Sequence, residues 1–259
     1  MTALRSLSLA LCVAFAALQA SVANAEIKTQ WIEYAHGETK LKGYLAYDDR
    51  ITGKRPAVLL VHRRDGMTPF TLQTTEMYAK LGYVAFAADI FGYGEGILPK
   101  NIPEMQAQSA IYNKDRPLMR ARARAALDAL IQSPMVDASK VALVGYCFGG
   151  TVAVELAYTG APLAAMIFIH GTFRGHASEG AKNVKGKVLI LHGAEDKVAP
   201  LPEVNKIIED LRAAKVDFRY ELYSGAEHDF SIPQHKADER ANVQSIASTA
   251  RFLKETFGE

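Results

Sequence analysis

Cysteine and tryptophan are scarce in this chain of 259 residues, which contains two cysteines and one tryptophan. Neither charge sign dominates, since 30 basic residues stand against 28 acidic ones and the formal charge is +2. This balance, without a basic tail, gives no reason to expect a nucleic-acid partner. A composition of 49% hydrophobic and 22% charged residues is typical of a globular protein with a substantial core.

Long hydrophobic runs are absent beyond the N-terminal segment. There, Arg5 precedes an apolar run from Leu7 to Leu18, and Ala23-Asn24-Ala25 ends the segment. These features are typical of a secretory signal peptide, here residues 1–25, cleaved before Glu26. A membrane anchor is the alternative, although the run is shorter than the roughly 20 apolar residues that span a bilayer. We predict a periplasmic or secreted protein that is not attached to a membrane after cleavage.

The predicted signal peptide contains Cys12, so the mature chain keeps Cys147 as its one cysteine. Proteins outside the cytoplasm usually pair their cysteines in disulfides. A lone thiol there is open to oxidation or to pairing between molecules. Cys147 is therefore either a buried, inert small hydrophobe or a chemically active residue.

The remaining chain alternates short apolar strands with helical patterns, which predicts a mostly parallel sheet with helices on both faces. We expect one α/β domain over residues 26–259. The predicted strands are an antiparallel hairpin, Ile27–Tyr34 with Lys40–Tyr47, then Ala57–Val61, Val84–Ala88, Val141–Val144, Ala165–Ile169, Val188–Leu191 and Phe218–Tyr223. The predicted helices are Thr71–Leu81, Pro117–Gln132, Gly150–Tyr158, Pro202–Ala214 and Asp238–Phe257.

Polar residues follow several of these strands. They are His62, Asp89, Cys147, His170 and His192. Sheets of this kind bind ligands at the carboxyl ends of their strands, so we expect the functional site there. The histidines are more typical of a pocket floor than of a metal site, and we predict no metal. Residues 91–116 interrupt the alternation and are the expected cover over the site.

Cys147 lies in the motif Gly145-Tyr146-Cys147-Phe148-Gly149-Gly150, between a strand and a helix. This is the G-x-S-x-G nucleophile elbow with cysteine in place of serine. Glycines are needed on both sides because the sharp turn leaves no space for a Cβ atom. The helix N-terminus behind the sulfur favours a thiolate.

Two further residues complete a predicted catalytic triad. Asp196 follows one late strand, in Gly193-Ala194-Glu195-Asp196, and His228 follows the last strand. The order Cys147, Asp196, His228 is the nucleophile–acid–histidine order of α/β-hydrolases. The histidine would transfer the proton, and the carboxylate would set its tautomer.

The elbow, the Ala88-Asp89 strand end and the loops around Asp196 and His228 resemble those of the dienelactone hydrolase family. The resemblance extends from about Ile27 to the C-terminus. It implies a single α/β-hydrolase domain without a cofactor. It also implies hydrolysis of lactones or small esters through an acyl-enzyme on cysteine.

The chain departs from that family beside the thiol, where Arg63 occupies the place of a glutamate. Two arginines that bind the carboxylate of dienelactone in family members are missing near Tyr93 and Phe230, so a different substrate is expected. Arg63 and Tyr93 are our candidates for binding substrate or tuning the thiol, the alternative being that Arg63 and Arg64 point into solvent. The backbone N–H groups of Phe148 and Arg64 are the predicted oxyanion hole.

These observations favour a hydrolase for a small-molecule ester or lactone. A catalytically weak, ligand-binding member of the same fold outside the cytoplasm is the alternative, because the family glutamate is missing. Thiol redox chemistry has no C-x-x-C motif or second cysteine to support it. The arginines at 116, 120, 122 and 124 read as a solvated helix face.

Overall fold

A computed structural model describes residues 26–258 of the chain. The predicted signal peptide, residues 1–25, lies outside the described residues. Eight strands form one sheet in the order β1-β2-β4-β3-β5-β6-β7-β8. The strands are β1 (Ile27–His36), β2 (Thr39–Asp48), β3 (Arg55–Val61), β4 (Val84–Ala88), β5 (Val136–Tyr146), β6 (Ala165–Ile169), β7 (Lys187–Gly193) and β8 (Phe218–Tyr223).

The sheet is mostly parallel, as the alternating pattern predicts. Only the pairs β1/β2 and β2/β4 are antiparallel among the described strands. The other neighbours run parallel. Helices connect most of these strands, whereas a loop with a short 3-10 helix, Ser178–Asn183, joins β6 to β7. The helices are α1 (Pro69–Lys80), α2 (Ile102–Lys114), α3 (Arg116–Ile131), α4 (Phe148–Tyr158), α5 (Leu201–Ala213) and α6 (Lys236–Phe257). The predicted fold class, including the N-terminal hairpin, is confirmed.

Each face of the sheet has its own apolar core, because successive strand residues point to opposite sides. On one face the buried cluster that contains Leu59 also includes side chains of α3, α4 and α5. On the other face the cluster that contains Leu60 also includes Tyr78 of α1 and Leu253 of α6. Strands β3 to β7 are thus buried on both faces, which explains their nearly continuous apolar sequences. None of the helices in residues 26–258 has the length and apolarity needed to cross a membrane.

Asp89 organises the loop that follows β4. Its buried carboxylate accepts hydrogen bonds from the backbone N–H groups of Gly92, Tyr93 and Gly94, and from that of Lys42 on β2. Four such bonds to one carboxylate satisfy donors that the turn would otherwise leave unpaired. Asp89 thereby fixes the start of the segment that leads to α2.

Candidate active site

Cys147 occupies a sharp turn between β5 and α4. Its backbone has φ 50° and ψ −115°, and its N–H donates to the carbonyl oxygen of Ile169 at 3.2 Å. A Cβ atom on Gly145 would clash with the backbone of Gly149, and one on Gly149 would clash with the backbone of Val61. Both glycines are thus required where the elbow motif predicts them. The left-handed φ of Cys147 is the strained conformation typical of a nucleophile elbow.

A chain of hydrogen bonds joins Cys147 to two residues from other loops. His228 Nε2 lies 3.1 Å from Cys147 Sγ, and His228 Nδ1 lies 2.7 Å from Asp196 Oδ2. The other oxygen of Asp196 accepts from the backbone N–H groups of Val198 and Ala199, which fixes the carboxylate. The structure therefore brings together the thiol, the imidazole and the carboxylate that the sequence singles out.

The hydrogen-bond partners of His228 make its imidazole more basic. Burial opposes protonation of His228, but hydrogen bonds with Asp196 and Cys147 outweigh it and raise the pKa of His228 to about 10. Burial alone would raise the pKa of Asp196, yet the hydrogen bond from His228 lowers it. The carboxylate of Asp196 is therefore ionised, and at neutral pH His228 is held largely as the imidazolium between that carboxylate and the sulfur.

The alternative in which Arg63 points into solvent is wrong. Its side chain is only 14% exposed, and Nη2 donates to Asp65 Oδ2 at 2.6 Å. Nη1 lies 3.4 Å from Asp229 Oδ1, and the guanidinium packs over the ring of Phe70 at 4.8 Å. Its charge is therefore shared between two carboxylates, one of which directly follows His228.

A cavity of about 330 Å³ opens beside the sulfur. Arg64, Arg116 and Arg174 line it together with Cys147 and Phe148. The expected cover contributes to this wall, because Ser109 and Asn113 of α2 also line the cavity. The site is thus bounded by the elbow, the loop after β3, the loop after β6 and α2.

Tyr93 has a different environment from the one that we expected. Its ring stacks on that of Trp31 with centroids 5.0 Å apart. Of the residues that the structure describes, those lining the cavity beside Cys147 do not include Tyr93. The Asp89 carboxylate holds its backbone N–H and so turns this loop toward the β1–β2 hairpin. Tyr93 is a packing residue of that loop.

Phe148 and Arg64, the predicted oxyanion-hole residues, both line the cavity with Cys147. Phe148 is the first residue of α4, so its N–H has no acceptor within the helix. Within residues 26–258, neither of the two N–H groups has a hydrogen-bond acceptor. Both donors therefore remain available to a ligand atom near the sulfur.

The prediction that the arginines of α3 form a solvated face is wrong for Arg116 and Arg122, which are 16% and 7% exposed, whereas Arg120 keeps 38% of its side chain exposed. Arg116 and Arg120 both lie within ion-pair distance of the buried Glu155 on α4. Arg124 matches the expectation fully, in a half-exposed pair with Asp128. The buried Glu155 on the neighbouring helix pairs with Arg116 and Arg120, which the spacing of arginines on α3 cannot reveal.

The strand-end histidines bond to nearby protein groups. His62 contacts the carbonyl oxygen of Arg63, His192 that of Ala199, and His170 the hydroxyl of Ser231. A different group has the donor types that a metal would need. Cys147, His228 and Asp229 each offer one such atom, and these three atoms lie within 4.8 Å of one another. Asp229 is a close neighbour of the thiol that sequence reasoning missed.

The comparisons with known proteins agree with this geometry. The sequence profile of the dienelactone hydrolase family matches residues 41–257. A Synechocystis protein provisionally named a carboxymethylenebutenolidase is 27% identical over 253 residues, covering 90% of this chain and 97% of its own. The carboxymethylenebutenolidase homolog of Mus musculus is 25% identical over 219 residues, covering 83% and 86% respectively.

Solved structures give the same result. The crystal structure of a dienelactone hydrolase-like promiscuous phosphotriesterase from metagenomic libraries has a TM-score of 0.84 and 31% identity, covering 89% of this chain and 99% of that one. The family profile spans both the elbow and the loops that carry Asp196 and His228. The chain is therefore a hydrolase and belongs to the dienelactone hydrolase family.

Proposed function

We propose that this protein hydrolyses carboxylic ester or lactone bonds, with Cys147 as nucleophile, His228 as acid–base residue and Asp196 as its partner. The observation that carries the proposal is the continuous chain from Sγ through the imidazole to a buried carboxylate, with links of 3.1 and 2.7 Å. A thiol and a basic imidazole in direct contact are what an acyl-transfer nucleophile requires.

In the first half of the proposed reaction, the Cys147 sulfur attacks the carbonyl carbon as the thiolate, while its proton is held on His228 Nε2. The carbonyl oxygen becomes an oxyanion, for which the N–H groups of Phe148 and Arg64 are the proposed donors. The oxyanion then collapses, and the bond to the leaving oxygen breaks. His228 returns its proton to that oxygen, which leaves a thioester on Cys147.

In the second half, His228 takes a proton from water while the water oxygen attacks the thioester carbon. Collapse of the second oxyanion breaks the carbon–sulfur bond, and the proton held by His228 returns to the sulfur. The net change is addition of one water molecule across the ester bond. For a lactone, the leaving alcohol stays attached to the acyl group, and the product is a hydroxy acid.

The cavity supports a substrate that has an anionic group. Arg116 is held by Glu155 and by the carbonyl oxygen of Arg174, and Arg174 is held by Glu203. Arg64 is half-buried and, within the described part of the chain, has no ion pair or hydrogen bond. A partly desolvated guanidinium beside the nucleophile favours a carboxylate or phosphate on the substrate.

Trapping of the acyl-enzyme tests this function. Rapid acid quenching during turnover of p-nitrophenyl acetate should give protein whose mass is increased by one acetyl group, located on Cys147 by peptide mapping. Protein blocked beforehand with iodoacetamide is the control and should show neither adduct nor turnover. Binding of esters without adduct or turnover would instead support the ligand-binding alternative.

We also propose that the protein is exported and that its mature form begins at Glu26. The reason is the sequence of residues 1–25, with Arg5, the apolar run and the Ala23-Asn24-Ala25 ending. After expression in a Gram-negative host, the intact mass of the protein from the periplasmic fraction should match residues 26–259. A membrane-bound product that keeps its first 25 residues would show that the segment is an anchor.

A further inference from the structure

Asp229 has an unusual position for a carboxylate that no step of the proposed reaction uses. Its Oδ1 is buried and has no hydrogen-bond partner among the described residues. Three potential donors surround this oxygen just beyond hydrogen-bond range: Arg63 Nη1 at 3.4 Å, His170 Nδ1 at 3.6 Å and His228 Nε2 at 3.9 Å. A carboxylate oxygen of Asp229 also lies within 4.8 Å of Cys147 Sγ.

The backbone holds this carboxylate in place. Asp229 has φ 61°, a left-handed conformation that aspartate and asparagine tolerate better than most residues. Its carbonyl oxygen accepts from the N–H of Ile232 at 2.7 Å, and Ser231 in the same turn contacts buried His170 at 2.7 Å. The turn therefore directs Oδ1 of Asp229 toward the reacting pair, while the side chain as a whole is 34% exposed.

A fixed negative charge at this distance changes the proton equilibria of its neighbours. A negative charge beside them works against a thiolate on Cys147 and favours an imidazolium on His228. Arg63 opposes this effect because its positive charge faces Asp229, although Asp65 holds its other nitrogen. Asp196 faces His228 from behind, and buried His170, whose pKa burial lowers well below its ordinary value, contributes no charge at neutral pH.

We infer that Asp229 is a positioning residue of this site and that, paired with Arg63, it sets the proton affinity of the Cys147–His228 couple. The two residues act as opposite charges whose effects on the sulfur largely cancel. Removing one of them leaves the other uncompensated beside the thiol. The inference rests on the proposed nucleophile, Cys147, but it does not require that any particular ester be hydrolysed.

The experiment is the pH dependence of alkylation by iodoacetamide, which reads the thiol directly. Asp229→Asn should move the midpoint for thiolate formation to lower pH by about one unit, and Arg63→Met should move it to higher pH by a similar amount. The double variant should return close to the wild-type midpoint. Asparagine tolerates the left-handed backbone, so Asp229→Asn preserves the turn.

Two controls separate charge from structure. Arg63→Lys keeps the positive charge and should keep the wild-type midpoint, whereas Asp128→Asn removes a carboxylate from a half-exposed ion pair on α3 and should change nothing. If Arg63→Met does not fold, the direction of the Asp229→Asn shift decides alone. Coincident midpoints for Asp229→Asn and wild type, or shifts of the same sign in both single variants, overturn the inference. Normal alkylation shifts without ester turnover would leave it standing while the proposed function fails.

Discussion

Replacing Cys147 by alanine is expected to abolish ester hydrolysis while the protein keeps its fold. The side chain is 4% exposed, and the change removes one sulfur atom without adding a group to the crowded elbow. No other described side chain is in hydrogen-bond contact with His228 Nε2 and placed to attack a carbonyl carbon. Loss of a nucleophile that acts as part of a triad reduces kcat by at least a factor on the order of a thousand.

Cys147→Ser is the sharper variant, because it restores the more common nucleophile of this fold. We expect far less activity than in wild type, since the loop arrangement that supports a thiolate does not necessarily activate a hydroxyl, whose proton is held much more tightly. Steady-state hydrolysis of p-nitrophenyl acetate and thermal unfolding should be measured on both variants. Full turnover by the alanine variant at unchanged stability would refute the nucleophile assignment and the mechanism built on it.

The architecture could be predicted because it depends on patterns local in the sequence. Strands β4, β6 and β8 have the bounds that their apolar runs indicate, and the elbow follows from Gly145 before Cys147 and Gly149 after it. Helix α2 could not be predicted from hydrophobic periodicity, because Tyr112 is its one buried residue and the helix has almost no apolar face. Its start was nevertheless signalled by Asn101 three residues before Glu104, whose backbone N–H bonds to the Asn101 side chain.

The side-chain environment of the site was less predictable, because it depends on charges that come together only in the fold. The sequence shows Arg63 two residues from Asp65, but not that Asp229, far along the chain, faces the same guanidinium. Likewise, the inward turn of Arg116 depends on Glu155, which α4 buries beneath α3. Sequence periodicity identifies which face of a helix is apolar, whereas it cannot identify buried ion-pair partners on other elements.

The side chain of Arg64 is another feature that the sequence does not reveal, and it bears on substrate specificity. The sequence assigns only its backbone N–H to the site, whereas the structure also places its side chain on the cavity wall with the sulfur. Arg116 and Arg174 share that wall, but their guanidinium groups already contact Glu155 and Glu203. Arg64 is therefore the cation of the wall that a substrate can engage without breaking an existing ion pair.

Arg64→Met should accordingly lower kcat/KM for an ester with a carboxylate in its acyl part by about tenfold to a hundredfold, the usual range for one charge-assisted hydrogen bond. The mono-p-nitrophenyl ester of succinic acid is a suitable probe, and p-nitrophenyl butyrate is the neutral ester of the same acyl length. Butyrate hydrolysis should change little, because methionine retains the apolar stem and the backbone N–H of residue 64. Arg124→Met, on the outer face of α3, serves as the matched control and should leave both rates unaltered. Wild-type preference for the succinate ester should also weaken at high salt, since a half-buried charge is partly screened. An equal loss with both esters would assign Arg64 to holding the loop after β3, and the proposal of an anionic substrate would then be wrong.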